Sequence, residues 1–308
     1  MRLVLQARSN PVAWWWGMLT LVSGVNIALW FLLYRALNPS GGSISGIGLM
    51  LLLCAAYVFG CAFRSFLPRA DVQRICLFDH WTSSVAVGRS VATIAEVCFV
   101  AQWAILLFRL GEMTGADTVV NAALVIVPLI VVAECFSWYA VLTTNFLFNA
   151  IENSLWAVAF FIVGIALCRL LAEFEGPVRV ALIVSIIGIV GYLAFLMTID
   201  VPMYFNRWRS GGAARLGLIE GLRDVSTRWV VTHDIAHWKD EIAWMSLYFS
   251  MAVWASLALC VGYALEDHLP RYRVEAPANA AAAESTGPGF SIPGWTRPAY
   301  GGEAPVRP

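Results

Sequence analysis

This chain contains seven long runs of apolar residues, and each run is long enough to cross a bilayer. A transmembrane helix needs about 20 predominantly apolar residues, and in hydrocarbon only helices and closed barrels satisfy the backbone. The runs predict helices near residues 12–34, 44–63, 82–108, 119–143, 154–172, 178–200 and 242–265. The pattern therefore predicts an all-α fold, a polytopic membrane helix bundle with about seven transmembrane helices.

Two further segments differ from these runs. Leu218, Leu222, Val225 and Trp229 recur at helical spacing opposite charged residues, which predicts an amphipathic helix lying on the membrane surface. From Arg271 onward the chain is rich in Ala, Pro, Gly and Ser without an apolar period, and this is typical of disorder. We expect a transmembrane bundle over residues 1–270 and a disordered tail over residues 271–308.

Composition agrees with the apolar pattern and limits the classes of partner to be expected. Hydrophobic residues make up 60% of the chain and charged residues 13%, with a mean hydropathy of +0.72, whereas soluble domains are about a quarter charged. The formal net charge is zero, so no basic field would attract nucleic acid. The lipid bilayer is the expected partner. The tail could also dock a protein partner through its FSIPGW stretch, although a solvated tail is the simpler interpretation.

The Arg and Lys residues of the loops predict the orientation. If the N-terminus is inside, the inner segments hold Arg2, Arg8, Arg64, Arg69, Arg74, Arg207, Arg209, Arg215, Arg223, Arg228 and Lys239, and the outer loops hold Arg35, Arg109, Arg169 and Arg179. The positive-inside rule then favours a plasma (inner) membrane protein with its N-terminus in the cytoplasm and its C-terminus outside. Three inner connections rich in acid, amide and imidazole groups should meet on one face.

The histidines suggest a metal site on that face. His233 and His237 stand four apart, a spacing that puts both imidazoles on one side of a helix, and His80 is the candidate third ligand. A divalent metal such as zinc is the candidate cofactor, and Asp234, Asp240 and Glu241 are candidates to orient the ligands. The alternative is that these histidines are solvated or hydrogen-bonded polar residues.

With seven spans and an HxxxH beside the last one, the chain resembles the membrane zinc hydrolases of the alkaline ceramidase and adiponectin-receptor superfamily. The resemblance implies zinc held by His80, His233 and His237 and a water activated by the metal. The chain departs from that pattern at Cys76, where the family has a serine. In addition, His80 opens the third span instead of closing the second.

Ionisable residues inside the spans form a second candidate site. Arg89 and Glu96 lie seven apart on the third span, which we take as too distant for a direct pair, and depth along the helices predicts that Arg89 pairs with Glu134 of the fourth span. Glu96 is expected to lack a cation. Such residues are costly in a membrane and often functional, although an ion pair that sets helix register is an equal alternative.

The fourth connection extends this polar network. Asn145, Asn149 and Glu152 follow the fourth span and Asp200 follows the sixth. Because the continuous apolar length here exceeds one span, a turn must interrupt it, and we expect a helical hairpin. Its amides could bind a cation or cap the two helix ends.

Three functions remain open from the sequence. The first is a non-catalytic scaffold or carrier with a polar cytoplasmic-side site. The second is a proton- or ion-coupled transporter that uses Arg89, Glu96 and Glu134. The third is a metal-dependent membrane hydrolase that uses His80, His233 and His237. No Lys lies in any predicted span, which excludes a retinal Schiff base, and no phosphate loop or GxSxG motif occurs.

Overall fold

The computed structural model describes residues 10–37, 46–211 and 214–266. Within these residues seven helices are long and apolar enough to cross a membrane, so the predicted all-α bundle is confirmed. The first five spans are α1 (Pro11–Leu37), α2 (Gly46–Phe66), α3 (Val85–Thr114), α4 (Asp117–Thr143) and α5 (Phe146–Leu170). The sixth span, Gly176–Arg209, consists of α6 (Gly176–Phe195), a π-helical turn and α7 (Val201–Arg209).

A short helix and a second interrupted span complete the described chain. After α8 (Leu218–Thr227), the seventh span, Ile235–Leu265, consists of α9 (Ile235–Leu247), a π-helical turn and α10 (Val253–Glu266). Consecutive spans pack against each other from α1 to α6, and α10 returns to pack on α2 and α3. The sixth span has one major neighbour, α5, and only 17% of its most apolar window is buried, against 44% for α5.

The two π-helical turns, Leu196–Asp200 and Tyr248–Ala252, meet inside the bundle. The Tyr248 hydroxyl donates to Asp200 Oδ2 at 3.0 Å. A π-turn displaces the regular backbone pairing and is frequent at functional sites. In the seventh span the Phe249 carbonyl accepts a hydrogen bond from Asn26 Nδ2 of α1 at 3.1 Å, so a side chain from another helix supports the irregular turn.

The connection between α2 and α3 is an ordered substructure. Strands β1 (Arg69–Ala70) and β2 (Ile75–Cys76) pair antiparallel, and β2 pairs in parallel with β3 (Val230–Val231). Arg69 is 1% exposed, pairs with Asp71 at 3.0 Å and donates to the Ser84 carbonyl. Burial lowers the pKa of Arg69 to about 10, opposed by Asp71, so its guanidinium is charged at neutral pH.

The predicted convergence of three connections on one face is confirmed. Arg74 of the second connection donates to the Val141 carbonyl near the end of α4 and pairs with Asp224 of α8 at 2.7 Å. The Leu216 amide donates to the Thr143 carbonyl. We call this end of the bundle the polar end. Arg69 and Arg74, counted above as loop charges, are buried structural groups here.

Two predicted helix starts are wrong, and both errors concern candidate site residues. The fifth span begins at Phe146 instead of residue 154, because Asn145 caps it by accepting from the Leu147 amide. The seventh begins at Ile235 instead of residue 242, because Asp234 caps it by accepting from the Ala236 amide. These side-chain caps compete with the apolar pattern as start signals.

The predicted amphipathic segment contains helix α8, but only Val225 of the predicted apolar stripe is buried. Gly221 and Val225 are buried, whereas Leu218 and Leu222 are exposed, and Trp229 lies beyond the helix end. Gly221 approaches the Leu142 carbonyl so closely that a Cβ would lie 2.0 Å from its oxygen. Its position on the membrane surface stays a prediction, and the tail over residues 271–308 lies outside the described residues.

Candidate functional site

Arg89, near the start of α3, is surrounded by three glutamates. Its Nη2 atom lies 2.7 Å from Glu134 Oε2 on α4 and 2.8 Å from Glu96 Oε2 on α3. Its Nη1 atom lies 3.8 Å from Glu152 Oε1 on α5. The predicted pairing of Arg89 with Glu134 across two helices is therefore confirmed. We call Arg89, Glu96, Glu134 and Glu152 the charge cluster.

The expectation that Glu96 lacks a cation is wrong. Seven residues correspond to an axial rise of about 10 Å, and this backbone distance is too long for a direct contact unless the side chains lean toward each other. Helical side chains lean toward the N-terminus, so Glu96 leans toward Arg89, and the long arginine side chain spans the remaining distance. The Glu96 side chain is 24% exposed, against 4% for Glu134 and 8% for Glu152.

Hydrogen bonds hold Glu134 in a fixed orientation. Thr93 Oγ1 donates to Glu134 Oε2 at 2.6 Å, and Trp138 Nε1 donates to Thr93 Oγ1 at 3.1 Å. The other carboxylate oxygen, Glu134 Oε1, is buried without a hydrogen-bond partner among the described residues. Glu134 therefore has one oxygen, Oε2, that accepts hydrogen bonds and one, Oε1, that is available to accept a further one.

The hairpin between α4 and α5 adds one amide to the cluster. Thr144 ends α4 in the left-handed region (φ 51°) and Asn145 caps α5, so the expected hairpin and the capping role of Asn145 are both confirmed. Asn149 Nδ2 donates to Glu152 Oε2 at 3.1 Å. Asn149 thus joins the charge cluster, whereas Asn145 does not.

The three histidines are not brought together. His233 precedes the cap of α9 and so does not share a helix face with His237, and the expectation that both stand on one helix is wrong. His80 caps the short 3₁₀ helix Trp81–Ser83. Within the described part of the chain, the group of acidic, cysteine or histidine side chains close enough to share a metal consists of Glu96, Glu134 and Glu152.

Of the acids proposed to orient the histidines, Asp234 lies beside His237, whereas Asp240 and Glu241 pair with Arg207. Asp234 caps α9 and lies 3.8 Å from His237 Nδ1. Arg207 Nη2 lies 3.2 Å from Asp240 Oδ2 and 2.8 Å from Glu241 Oε1. Glu241 is 1% exposed and accepts from two further side-chain donors. These contacts join the sixth span to the seventh at the polar end of the bundle.

A cavity of about 720 Å³ lies between the sixth and seventh spans, with α2, α3 and α5 behind it. Its walls are predominantly apolar and aromatic. On α3 the lining residues run from Ala92 to Leu110, which corresponds to about 27 Å along the helix. Among the described lining residues the charged ones are Arg64, Glu96, Glu152 and Asp200. The cavity therefore reaches the charge cluster at two of its glutamates.

Small residues of the sixth span border this cavity instead of packing against a helix. Ala181, Ser185 and Gly188 have the spacing of a close-packing stripe, but all three line the cavity, and a Cβ on Gly188 would meet nothing within 4 Å. By contrast, Gly60 of α2 does pack closely, since a Cβ there would lie 2.7 Å from the Ala95 methyl group. The stripe of the sixth span is thus part of an open cleft.

No protein-family model, curated protein or solved structure matches this chain. Three carboxyl groups with oxygens within 4.8 Å of one another could hold a cation, but the Arg89 guanidinium already lies 2.7 to 3.8 Å from an oxygen of each of them. A divalent metal bound there would have to displace or tolerate the guanidinium.

Proposed function

We propose that this protein is a proton-coupled carrier in the plasma (inner) membrane, with its N-terminus inside. It would bind a small molecule in the cavity and exchange a proton at the charge cluster. One observation carries the proposal: Glu96 is ion-paired to Arg89 at 2.8 Å and is also a lining residue of the cavity. A proton acceptor that is both buried in a bundle and open to a cavity is what coupling requires.

The charge balance of the cluster supports proton exchange. One guanidinium faces three carboxyl groups, so full ionisation would leave two negative charges uncompensated in an apolar setting, which is costly. A proton shared among the carboxyl groups lowers that cost. The free Glu134 Oε1 atom can accept a hydrogen bond from a protonated neighbour.

Coupling follows if the substrate and the proton compete for the same oxygens. A polar group of a bound molecule that bonds to Glu96 would weaken the Arg89–Glu96 pair and displace a proton held between the acids. Arg89 would still pair with Glu134, which is more deeply buried. The cluster would thus retain its shape while its proton content changes.

The scaffold and hydrolase alternatives have weaker support. A scaffold needs no cavity that reaches an ionisable residue, and the ion pairs of Arg69 and Arg74 at the polar end are buried, so they offer no charge to a docking partner. The hydrolase requires His80, His233 and His237 around one metal, and these histidines do not form a group.

Proteoliposomes with an imposed proton gradient would test the carrier. Solutes from three charge classes, neutral, anionic and cationic, would be added while proton-linked current is measured on a solid-supported membrane. We expect current with at least one class of solute, and we expect Glu96→Gln to abolish it. Glu173→Gln is the control and should keep the current, because Glu173 pairs with Arg169 at the surface. Absence of current with all three classes in vesicles of folded protein would refute proton coupling.

A further inference from the structure

We infer that the cavity binds an amphiphilic amine, a molecule with one ammonium group on a long apolar body. This inference rests on the proposed function and names its substrate class. The ammonium group would bond to Asp200, in a cavity that Glu96 and Glu152 also line, and the apolar body would extend along the cleft between the sixth and seventh spans.

Asp200 is the first step of the argument. It is 2% exposed, lines the cavity and belongs to the π-turn of the sixth span. Its Oδ2 atom accepts from the Tyr248 hydroxyl at 3.0 Å, while Oδ1 has no hydrogen-bond partner among the described residues. An unpaired carboxylate oxygen at such depth is costly, and a cationic donor would satisfy it.

The charge of the cavity wall selects a cation. Three acids and one arginine line it, and that arginine, Arg64, is itself engaged, 3.4 Å from Asp71 and stacked over the Trp244 ring at 5.6 Å. Glu96 and Glu152 share the Arg89 guanidinium with Glu134, whereas Asp200 has no ion-pair partner among the described residues. Acidic groups therefore outnumber cations around the cavity, so an anionic head group would be repelled and a neutral one would leave Asp200 uncompensated.

The shape and surroundings of the cleft select a long apolar body. Lining residues extend for about 27 Å along α3, and Val184, Met251 and Trp254 both line the cavity and are about half exposed on the outer surface of the spans. In a bilayer this surface faces lipid tails, so an amphiphile could move in sideways without leaving hydrocarbon. Small residues on the sixth span keep the opening wide.

Photolabelling in nanodiscs tests the inference. The probe is a dodecylamine that carries a diazirine in its chain, with the matched alcohol and carboxylate as head-group controls. We expect the amine to label peptides of the sixth and seventh spans saturably and the controls to label them weakly. Asp200→Asn should weaken amine labelling by roughly tenfold to a hundredfold, as expected for loss of a charge-assisted hydrogen bond.

Two further variants separate binding from folding. Tyr248→Phe removes the hydroxyl but leaves the carboxylate, so it should retain amine labelling, and Asp240→Asn, half exposed outside the cavity, should behave as wild type. Equal labelling by all three head groups, or full labelling of a folded Asp200→Asn, would overturn the inference. If the amine binds but drives no proton-linked current, the carrier proposal fails alone. If only another solute class drives current, the amine inference fails alone.

Discussion

At the scale of single residues, Arg89 contributes most to both structure and proposed function. It contacts acids from three helices, α3, α4 and α5. The desolvation of such a group is repaid only if its partners are well placed, and here Thr93 and Trp138 hold Glu134 in position. In the proposed function the cluster would change its proton content while the Arg89–Glu134 pair keeps α3 and α4 in contact.

Replacing Arg89 should destabilise the bundle. Arg89→Gln leaves three buried carboxyl groups without their cation, so we expect a loss of about 3–5 kcal/mol in the free energy of unfolding. Unfolding in mixed micelles of increasing SDS fraction would measure it. Arg169→Gln is the control, because its pair with Glu173 is exposed and contributes at most about 1 kcal/mol. Equal unfolding midpoints for the two variants would contradict the role of Arg89.

At the scale of helices, the glycine at position 88 allows another side chain to approach the backbone closely, and a substitution tests this contact. Gly88 lies under the Arg69 guanidinium, and a Cβ there would come 1.5 Å from Nη2. Gly88→Ala should therefore displace Arg69 from the Ser84 carbonyl and lower thermal stability. Gly17→Ala is the matched control, since nothing lies within 4 Å of its Cβ position, and alanine there should be neutral or stabilising by up to about 1 kcal/mol.

The π-turn of the seventh span depends on a side chain of α1. Asn26 Nδ2 donates to the Phe249 carbonyl and Asn26 Oδ1 accepts from Trp254 Nε1 at 2.9 Å. Asn26→Ala should cost about 1–3 kcal/mol, because the buried Phe249 carbonyl and the Trp254 indole N–H both lose their bonds. Hydrogen exchange of residues 248–254 would rise at the same time. An unchanged exchange rate there would show that the turn forms without Asn26, and Asn121→Ala on an exposed site of α4 is the control.

At the scale of the whole molecule, the cleft reflects unequal packing of the spans. The first five spans and the seventh form the compact part, while the sixth rests mainly on α5 and is held to the seventh by contacts at Asp200, Tyr248, Arg207 and Glu241. These contacts lie in the half of the span that ends at Arg209. The half of the sixth span that begins at Gly176 therefore packs mainly on α5.

The orientation is a prediction at this scale. Seven spans with more Arg and Lys on one side predict an inside N-terminus and an outside C-terminus. A membrane-impermeant reagent applied to intact cells should label a cysteine engineered in residues 271–308 and not one in residues 1–9. Because the seven native cysteines include exposed ones, Cys135 and Cys168, all seven would first be replaced by serine or alanine. Both termini on one side would require an even number of spans.

The sequence alone predicts much of this fold because the bilayer imposes a simple rule. Any run of about 20 apolar residues must be a helix there, so the number and rough limits of the spans follow from composition. Helix ends are predicted less well. Asn145 and Asp234 each cap a helix inside a segment that the apolar pattern assigns to a connection, so both helices begin several residues earlier than that pattern predicts. The Arg89–Glu134 pair was predictable because depth along a helix can be counted.

Only the tertiary structure decided which polar groups meet and where space remains. A residue count gives axial distance but not side-chain direction, and so it missed that Glu96 reaches Arg89. The spacing of His233 and His237 likewise suggested one shared helix, but that helix begins at Ile235, after His233. The cavity could not be predicted at all, because small residues such as Ser185 and Gly188 suit both a tight helix contact and an open cleft. Which of these forms depends on whether a neighbouring helix comes close, and that is a property of the whole packed bundle.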